Sequence, residues 1–126
     1  MSTSILDIPV LMYHRVNPNI IDRNTVHPTS FKNQLEYLAC SGYHTITFAQ
    51  YVDSVNGQGI LPAKPVILTF DDGYVDNHTY ALPLLKEYNM TGTIFVVTGG
   101  VGKHCSWLRE HDCNQLMNWE QLNDWI

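Results

Sequence analysis

Val66-Ile67-Leu68-Thr69-Phe70-Asp71-Asp72-Gly73 is the stretch that decides the fold of this chain. A run of large apolar residues ends abruptly in two adjacent carboxylates and a glycine. Such a run is typical of a strand buried on both faces, as found inside parallel sheets and barrels. The carboxylates follow at its C-terminal end, where these folds place their chemistry. Because unpaired buried charge is costly, core packing does not explain Asp71 and Asp72, whereas a bound metal ion would.

Strand and helix patterns alternate on both sides of this strand. The predicted elements are, in chain order, a strand at 9–14, a helix from Thr29 or Ser30 that Gly42 ends, a strand at 43–47, a helix at Phe48–Val55, the strand that begins at Val66, a helix over about 76–88, a strand at 93–98 and a short helix capped by Asn118. The loop between the first strand and the first helix extends to Pro28. This alternation predicts an α/β fold built from βαβ units, with a parallel sheet or barrel.

Three details of the helices bear on packing. Phe31, Leu35 and Leu38 give the first helix an apolar face at helical spacing. Pro83 lies inside the pattern at 76–88, which predicts a kink or a late helix start. The last helix presents apolar side chains with nothing following to cover them, and we expect uncovered surface around Trp119, Trp125 and Ile126 that favours self-association.

Composition bounds the classes of protein. The 126 residues suffice for one domain. A net charge of −5 without a Lys/Arg cluster argues against a nucleic-acid partner. No window reaches the roughly 18 to 20 apolar residues of a membrane span, and residues 1–16 lack a signal peptide, so we expect a cytoplasmic chain unless an upstream segment is missing. Three cysteines fit reduced thiols.

The paired carboxylates suit metal-assisted hydrolysis. Neighbouring side chains of a strand point to opposite sides, so one carboxylate can bind a metal while the other takes a proton from the metal-bound water. Gly73 allows the sharp turn that keeps the site open. The competing interpretation is a solvated Asp-Asp-Gly turn with no function. An Asp-x-Asp phosphatase is a weaker alternative, because the two carboxylates here are adjacent.

These residues also carry a resemblance. Thr69-Phe70-Asp71-Asp72-Gly73 resembles the first motif of the polysaccharide deacetylases, the NodB-homology family of carbohydrate esterases. The same order of motifs holds along nearly all of the chain. The further segments that resemble one branch of this family are Leu11-Met12-Tyr13-His14-Arg15-Val16, Phe31 with Gln34-Leu35, Gly42-Tyr43, Thr91-Gly92-Thr93-Ile94-Phe95 and Met117-Asn118-Trp119-Glu120-Gln121-Leu122.

The resemblance implies a reaction and a set of roles. The fold would be the N-terminal part of a distorted (β/α) barrel. The reaction would be metal-dependent hydrolysis of N-acetyl or O-acetyl groups on a polysaccharide or sugar conjugate. Asp71 would be the catalytic base, and Asp72 the carboxylate ligand of an Asp-His-His site for a divalent metal, usually zinc.

The chain departs from the family pattern in what it lacks. The two histidine ligands lie on a His-x-x-x-His-type motif after the segment that matches residues 117–122, and this sequence ends before it. Residues 1–126 would thus be a partial domain, truncated before that motif. Catalytic zinc takes about three protein ligands, so an inactive fragment that acts as a sugar-binding or assembly piece is the alternative.

Other side chains are weaker candidates. We expect His14 and Tyr74 near the substrate, with His14 as an alternative metal ligand. Aromatic residues could stack on sugar rings, although core packing explains most of them equally well. These aromatic residues are Tyr13, Tyr74, Trp107 and Trp119.

A small structural zinc site is a further alternative to a plain loop. Its candidate ligands are His104, Cys105, His111 and Cys113. A phosphate-binding loop at 97–104 is disfavoured, because Val97 stands at the first glycine position and His104 at the Ser/Thr position.

Overall fold

A computed structural model describes residues 7–107 and 115–126. Its main sheet contains β1 (Val10–Tyr13), β4 (His44–Thr45), β5 (Pro65–Asp72) and β6 (Thr93–Val96). Every pairing in this sheet is parallel, and β5 pairs with each of the other three strands. The predicted α/β architecture of parallel strands alternating with helices is confirmed.

The central strand β5 is the most buried part of the sheet. Residues 66–70 are all buried, and Leu68 and Phe70 are fully so. The ring of Phe70 stacks on Tyr13 with centroids 5.3 Å apart, and Phe31 of the first helix meets both rings edge-on. Thr69 fits this core because its hydroxyl donates to the Leu11 carbonyl, at 3.0 Å.

Helices connect the parallel strands. They are α1 (Pro28–Cys40), α2 (Phe48–Val55), a π-helical turn (Asn77–Ala81) that continues into α3 (Leu82–Glu87), and α4 (Trp119–Asn123). Phe31, Leu35 and Leu38 form the buried face of α1, as predicted. Among the described helices, none is long and apolar enough to cross a bilayer.

The start of α1 differs from the prediction. The helix begins at Pro28, and His27 caps it through Nδ1, which accepts the Thr29 N–H at 3.1 Å. Thr29 and Ser30 therefore lie inside the first turn and do not cap it. Proline suits the first helical position because a backbone N–H there would have no acceptor within the helix, so its absence costs nothing. At the other end the helix stops before Gly42, which has a φ of 80°.

The pattern at 76–88 divides into two elements. A π-helical turn covers Asn77–Ala81, and α3 starts at Leu82 with Pro83 in its first turn. The predicted late start is therefore confirmed, because proline without an N–H is tolerated at the beginning of a helix and not in its interior.

The predicted loop before Pro28 contains a small sheet of its own. Arg15–Val16 (β2) and Thr25–Val26 (β3) pair in parallel. Two-residue strands are too short to show a periodic pattern, so these two strands were not predicted. This small sheet holds the backbone that follows β1.

The expectation of an uncovered surface after the last helix is wrong for Trp125. Its ring packs edge-on against Phe70 at 5.3 Å, at the edge of the core. Gly92 makes room for this contact, since an added Cβ would lie 2.7 Å from Phe70 and 3.0 Å from Trp125. Trp119 and Ile126 do remain exposed, as predicted.

Candidate active site

Asp71 and Asp72 lie at the C-terminal end of β5, where they pair in register with Phe95 and Val96 of β6. Asp72 and Gly73 have φ values of 76° and 78°, so the backbone leaves the extended conformation at Asp72. Strand alternation therefore does not set the direction of the Asp72 side chain. A Cβ added at Gly73 would have no neighbour within 4 Å, so steric crowding does not require glycine there. The positive φ of the turn favours glycine instead.

His14 stands beside the first carboxylate. Its Nε2 lies 3.6 Å from Oδ2 of Asp71, and both side chains are about one quarter exposed, at 26% and 28%. Because β1 and β5 are parallel neighbours, their C-terminal ends meet at one edge of the sheet. The Asn77 side chain donates to the His14 carbonyl at 3.0 Å and holds this part of the backbone. The structure thus brings together a titratable imidazole and a carboxylate that water can reach.

Asp76 is a buried carboxylate that lies four residues after Asp72. Asp76 is 3% exposed and Arg15 is 4% exposed. Arg15 Nε donates to Oδ2 of Asp76 at 2.8 Å, and Nη2 forms an ion pair with the same oxygen, also at 2.8 Å. The Asn17 amide donates to this oxygen at 3.1 Å. Burial raises the pKa of Asp76, and the attraction and hydrogen bond of Arg15 offset part of this effect. This ion pair ties β2 to the segment after Gly73.

Tyr74 connects the buried ion pair to the surface. The Arg15 guanidinium lies over its ring, 4.7 Å from the centroid. On the other side, the indole N–H of Trp107 donates to the Tyr74 hydroxyl at 3.1 Å. Tyr74 is only 3% exposed, and this burial raises the pKa of its hydroxyl. The group of Arg15, Tyr74 and Trp107 is called the rim stack below.

A short three-segment ladder fixes the rim stack in place. Residues 115–117 donate and accept backbone hydrogen bonds on two sides. On one side Met117 N–H donates to the Gly73 carbonyl and Val75 N–H to the Gln115 carbonyl, both at 2.9 Å. On the other side Gly102 N–H donates to the Met117 carbonyl at 2.9 Å, and Leu116 N–H to the Lys103 carbonyl at 2.8 Å. The loop that carries Trp107 is thereby attached to the residues that follow Asp72.

The residues present do not complete a metal site. A catalytic zinc needs about three nitrogen, oxygen or sulfur ligands from the protein. Within residues 7–107 and 115–126, no group of three or more His, Cys, Asp or Glu side chains could hold a metal ion. Asp72 could supply one ligand, and His14 and Asp71 are already within reach of each other.

The remaining histidine and cysteine candidates lie elsewhere. His78 pairs with Asp124 at 2.7 Å, on the side of the C-terminal helix. His104 forms an antiparallel bridge with Gln115, and Cys105 is a free thiol. His111 and Cys113 lie outside the described residues, so the alternative of a structural zinc stays a prediction.

Comparison with known proteins adds a family to this geometry. The sequence profile described as Polysaccharide deacetylase matches residues 58–125. The chain belongs to this polysaccharide deacetylase family. The predicted resemblance is therefore confirmed, and the matched range includes the whole Asp71–Asp72 motif.

Individual relatives agree. The chain is 36% identical to YxkH of Bacillus subtilis over 98 residues, which is 77% of this chain and 34% of YxkH. It is 31% identical to the poly-beta-1,6-N-acetyl-D-glucosamine N-deacetylase of Escherichia coli K12 over 80 residues, which is 62% of this chain and 12% of that protein.

Solved structures share the fold. The structure of IcaB from Ammonifex degensii superposes with a TM-score of 0.78 at 32% identity, over 93% of this chain and 47% of IcaB. The Streptococcus pyogenes deacetylase PplD, solved with acetate, gives a TM-score of 0.73 at 26% identity, over 93% of this chain and 50% of PplD. Similarity to these structures supports the expected partial (β/α) barrel. The chain spans about a third of YxkH and about half of IcaB.

Sequence reasoning missed the buried ion pair. It named His14 and Tyr74 but neither Arg15 nor Asp76, which lie 61 residues apart in the chain. The available signal was a charged residue, Arg15, at the start of β2 soon after the apolar stretch of β1, and this signal names no partner. The roles predicted for Asp71, Asp72, His14 and Tyr74 stay predictions.

Proposed function

We propose that this chain takes part in hydrolysis of acetyl groups, N-linked or O-linked, on a polysaccharide or sugar conjugate. The observation that carries the proposal is the pairing of His14 with Asp71 at the end of β5, next to Asp72. Family membership supports it, and so do relatives named as N-deacetylases of a polysaccharide of N-acetylglucosamine.

Asp71 and His14 would share the proton transfers of the reaction. Amide hydrolysis needs one group that takes a proton from the attacking water and one that gives a proton to the departing amine. A carboxylate and an imidazole 3.6 Å apart, both partly exposed, can perform these tasks from one side of the acetyl group. Asp71 is proposed as the base, and His14 as a substrate contact that can also donate the proton.

Dependence on a divalent metal, usually zinc in this family, is part of the proposal. Asp72 is its proposed ligand, because its carboxylate stands at the strand end beside the proposed base. The described residues supply too few ligands for a complete site, so family membership alone does not establish that this chain binds zinc, and zinc binding is measured directly.

Two measurements test these assignments. Acetate release from oligomers of β-1,6-linked N-acetylglucosamine, with zinc added, should be lost in Asp71→Asn and kept in Asp53→Asn. Asp53 is exposed on α2 and serves as the matched control. Zinc binding, followed by isothermal titration, should weaken in Asp72→Asn and not in Asp53→Asn. Unchanged acetate release in Asp71→Asn would exclude it as the base, and unchanged zinc affinity in Asp72→Asn would exclude it as a ligand.

A second candidate function is non-catalytic. The described residues hold no three-ligand cluster, and β1 pairs with β5 on one side only among the strands described. Val10 and Met12 on that strand are 51% and 66% exposed, which gives an apolar edge suited to self-association. A chain that binds the oligomer, releases no acetate and dimerises in sedimentation would favour this candidate.

A further inference from the structure

Trp107 is the member of the rim stack that reaches solvent. It is 44% exposed, whereas Tyr74 and Arg15 beneath it are 3% and 4% exposed. The two aromatic rings meet at 64° with centroids 6.4 Å apart. Because the indole N–H points at the Tyr74 hydroxyl, the ring is held by its edge. An edge-held indole keeps its flat faces available for contact.

The support under this indole is unusually firm for a loop residue. The Arg15 guanidinium lies over the ring of Tyr74, and a hydrogen bond and an ion pair hold that guanidinium to the buried Asp76. A pre-positioned aromatic side chain also loses little conformational entropy when a ligand packs on it.

The position of the stack ties it to the candidate active site. Tyr74 is two residues after Asp72, and the backbone ladder through residues 115–117 joins the Trp107 loop to Gly73 and Val75. The rim stack is therefore attached to the segment that directly follows Asp72. The substrate contact predicted for Tyr74 stays a prediction, and Trp107, which lies against it, offers the larger exposed surface.

We propose that Trp107 is a sugar-binding platform that holds one ring of an N-acetylated hexosamine oligomer beside the Asp71–Asp72 site. β-Linked hexosamine rings present axial C–H groups on a flat face, which packs on an aromatic plane, while their hydroxyls stay in water. The platform would position the polymer and would not take part in the reaction. This inference rests on the proposed function for its ligand class.

The three tryptophans make a direct test possible. Each gives one indole N–H resonance in a ¹H–¹⁵N spectrum, and the variants Trp107→Phe and Trp119→Phe assign them. Titration with a tetramer of β-1,6-linked N-acetylglucosamine, without metal, should shift the Trp107 resonance saturably. The resonances of the exposed Trp119 and the core Trp125 should stay in place.

Affinity measurements complete the test. Trp107→Ala should weaken binding of the tetramer at least about fivefold, in line with the energies of aromatic contacts, and Trp107→Phe should weaken it less. Tyr74→Phe removes the acceptor for the indole N–H. Its affinity for the tetramer should lie between the affinities of the unaltered chain and of Trp107→Ala. Tyr37→Ala is the control, because Tyr37 is an equally exposed aromatic residue, 66% exposed on α1, and should not affect affinity.

The outcomes separate this inference from the proposed function. Binding that is unchanged in Trp107→Ala, or a tetramer that shifts no Trp107 resonance, would overturn the platform even if acetate is released. Binding that depends on Trp107 would support the platform even if Asp71→Asn proves irrelevant to acetate release. An unchanged Trp125 resonance in Trp107→Ala shows that the core of the variant is intact.

Discussion

Two carboxylate sites lie within six residues of one another, and they are built in opposite ways. Asp71 is partly exposed and has a loose contact with His14 at 3.6 Å. Asp76 is buried, accepts hydrogen bonds from Arg15 at 2.8 Å and Asn17 at 3.1 Å, and forms an ion pair with Arg15 Nη2 at 2.8 Å. A carboxylate that must exchange protons with a substrate has to remain accessible, and one that holds two segments together has to be enclosed. The same residue type would therefore serve the proposed reaction at position 71, whereas at position 76 it holds two segments together.

The largest effect should come from Arg15. Arg15→Met removes the cation that compensates the buried Asp76, and loss of one partner of a buried pair costs about 3–5 kcal/mol of unfolding free energy. Urea denaturation followed by circular dichroism measures it. The control is Lys32→Met, which breaks the exposed Lys32–Glu87 pair and should leave stability unchanged. If Arg15→Met and Lys32→Met lowered the unfolding free energy equally, the buried pair of Arg15 and Asp76 would not stabilise the fold more than an exposed pair does.

A smaller effect should appear in the pH dependence of stability. Burial raises the pKa of Asp76 above its ordinary value of 3.8, so the folded state holds this proton more tightly than the unfolded chain. The stabilisation from this proton is complete below pH 3.8, the ordinary pKa of the group. It is lost as the pH rises through the higher pKa that Asp76 has in the folded state. The stability difference between the unaltered chain and Asp76→Asn should therefore shrink from pH 3 to pH 6. A difference that grows with pH would contradict the assignment.

The smallest effect on stability should come from the partly exposed carboxylates Asp71 and Asp72. Asp71→Asn and Asp72→Asn should each change the unfolding free energy by no more than about 0.5 kcal/mol, as surface substitutions do. The same denaturation experiment measures both. Asn preserves the shape of the side chain, so a large loss would show that the strand end depends on these charges for folding, and the contrast with Asp76 would disappear.

The sequence predicted this fold well where the signal is local. The apolar run of β5, the face of α1 and the capping residue of α4 each depend on neighbours within a few positions, and the structure confirms all three. Capping boxes are present at both Thr47 and Asn118. Such features follow from periodicity and hydrogen bonding along one segment.

The features that were missed depend on contacts between distant segments. The Arg15–Asp76 pair, the Trp107–Tyr74 hydrogen bond and the packing of Trp125 on Phe70 join residues 61, 33 and 55 positions apart. Nothing in the flanking sequence names the partner in any of them. The candidate site was therefore predictable as a pair of carboxylates at a strand end, but its supports were not.

The left-handed backbone at Asp72 limits which amino acids this position can hold. With a φ of 76°, the residue occupies a region that glycine, asparagine and aspartate tolerate, and that β-branched side chains do not. Glutamate has similar chemistry, but it lacks the short side chain that bonds to the local backbone in this conformation. The backbone thus restricts the candidates at position 72 before any chemistry selects among them, and aspartate is the only carboxylate that satisfies it readily.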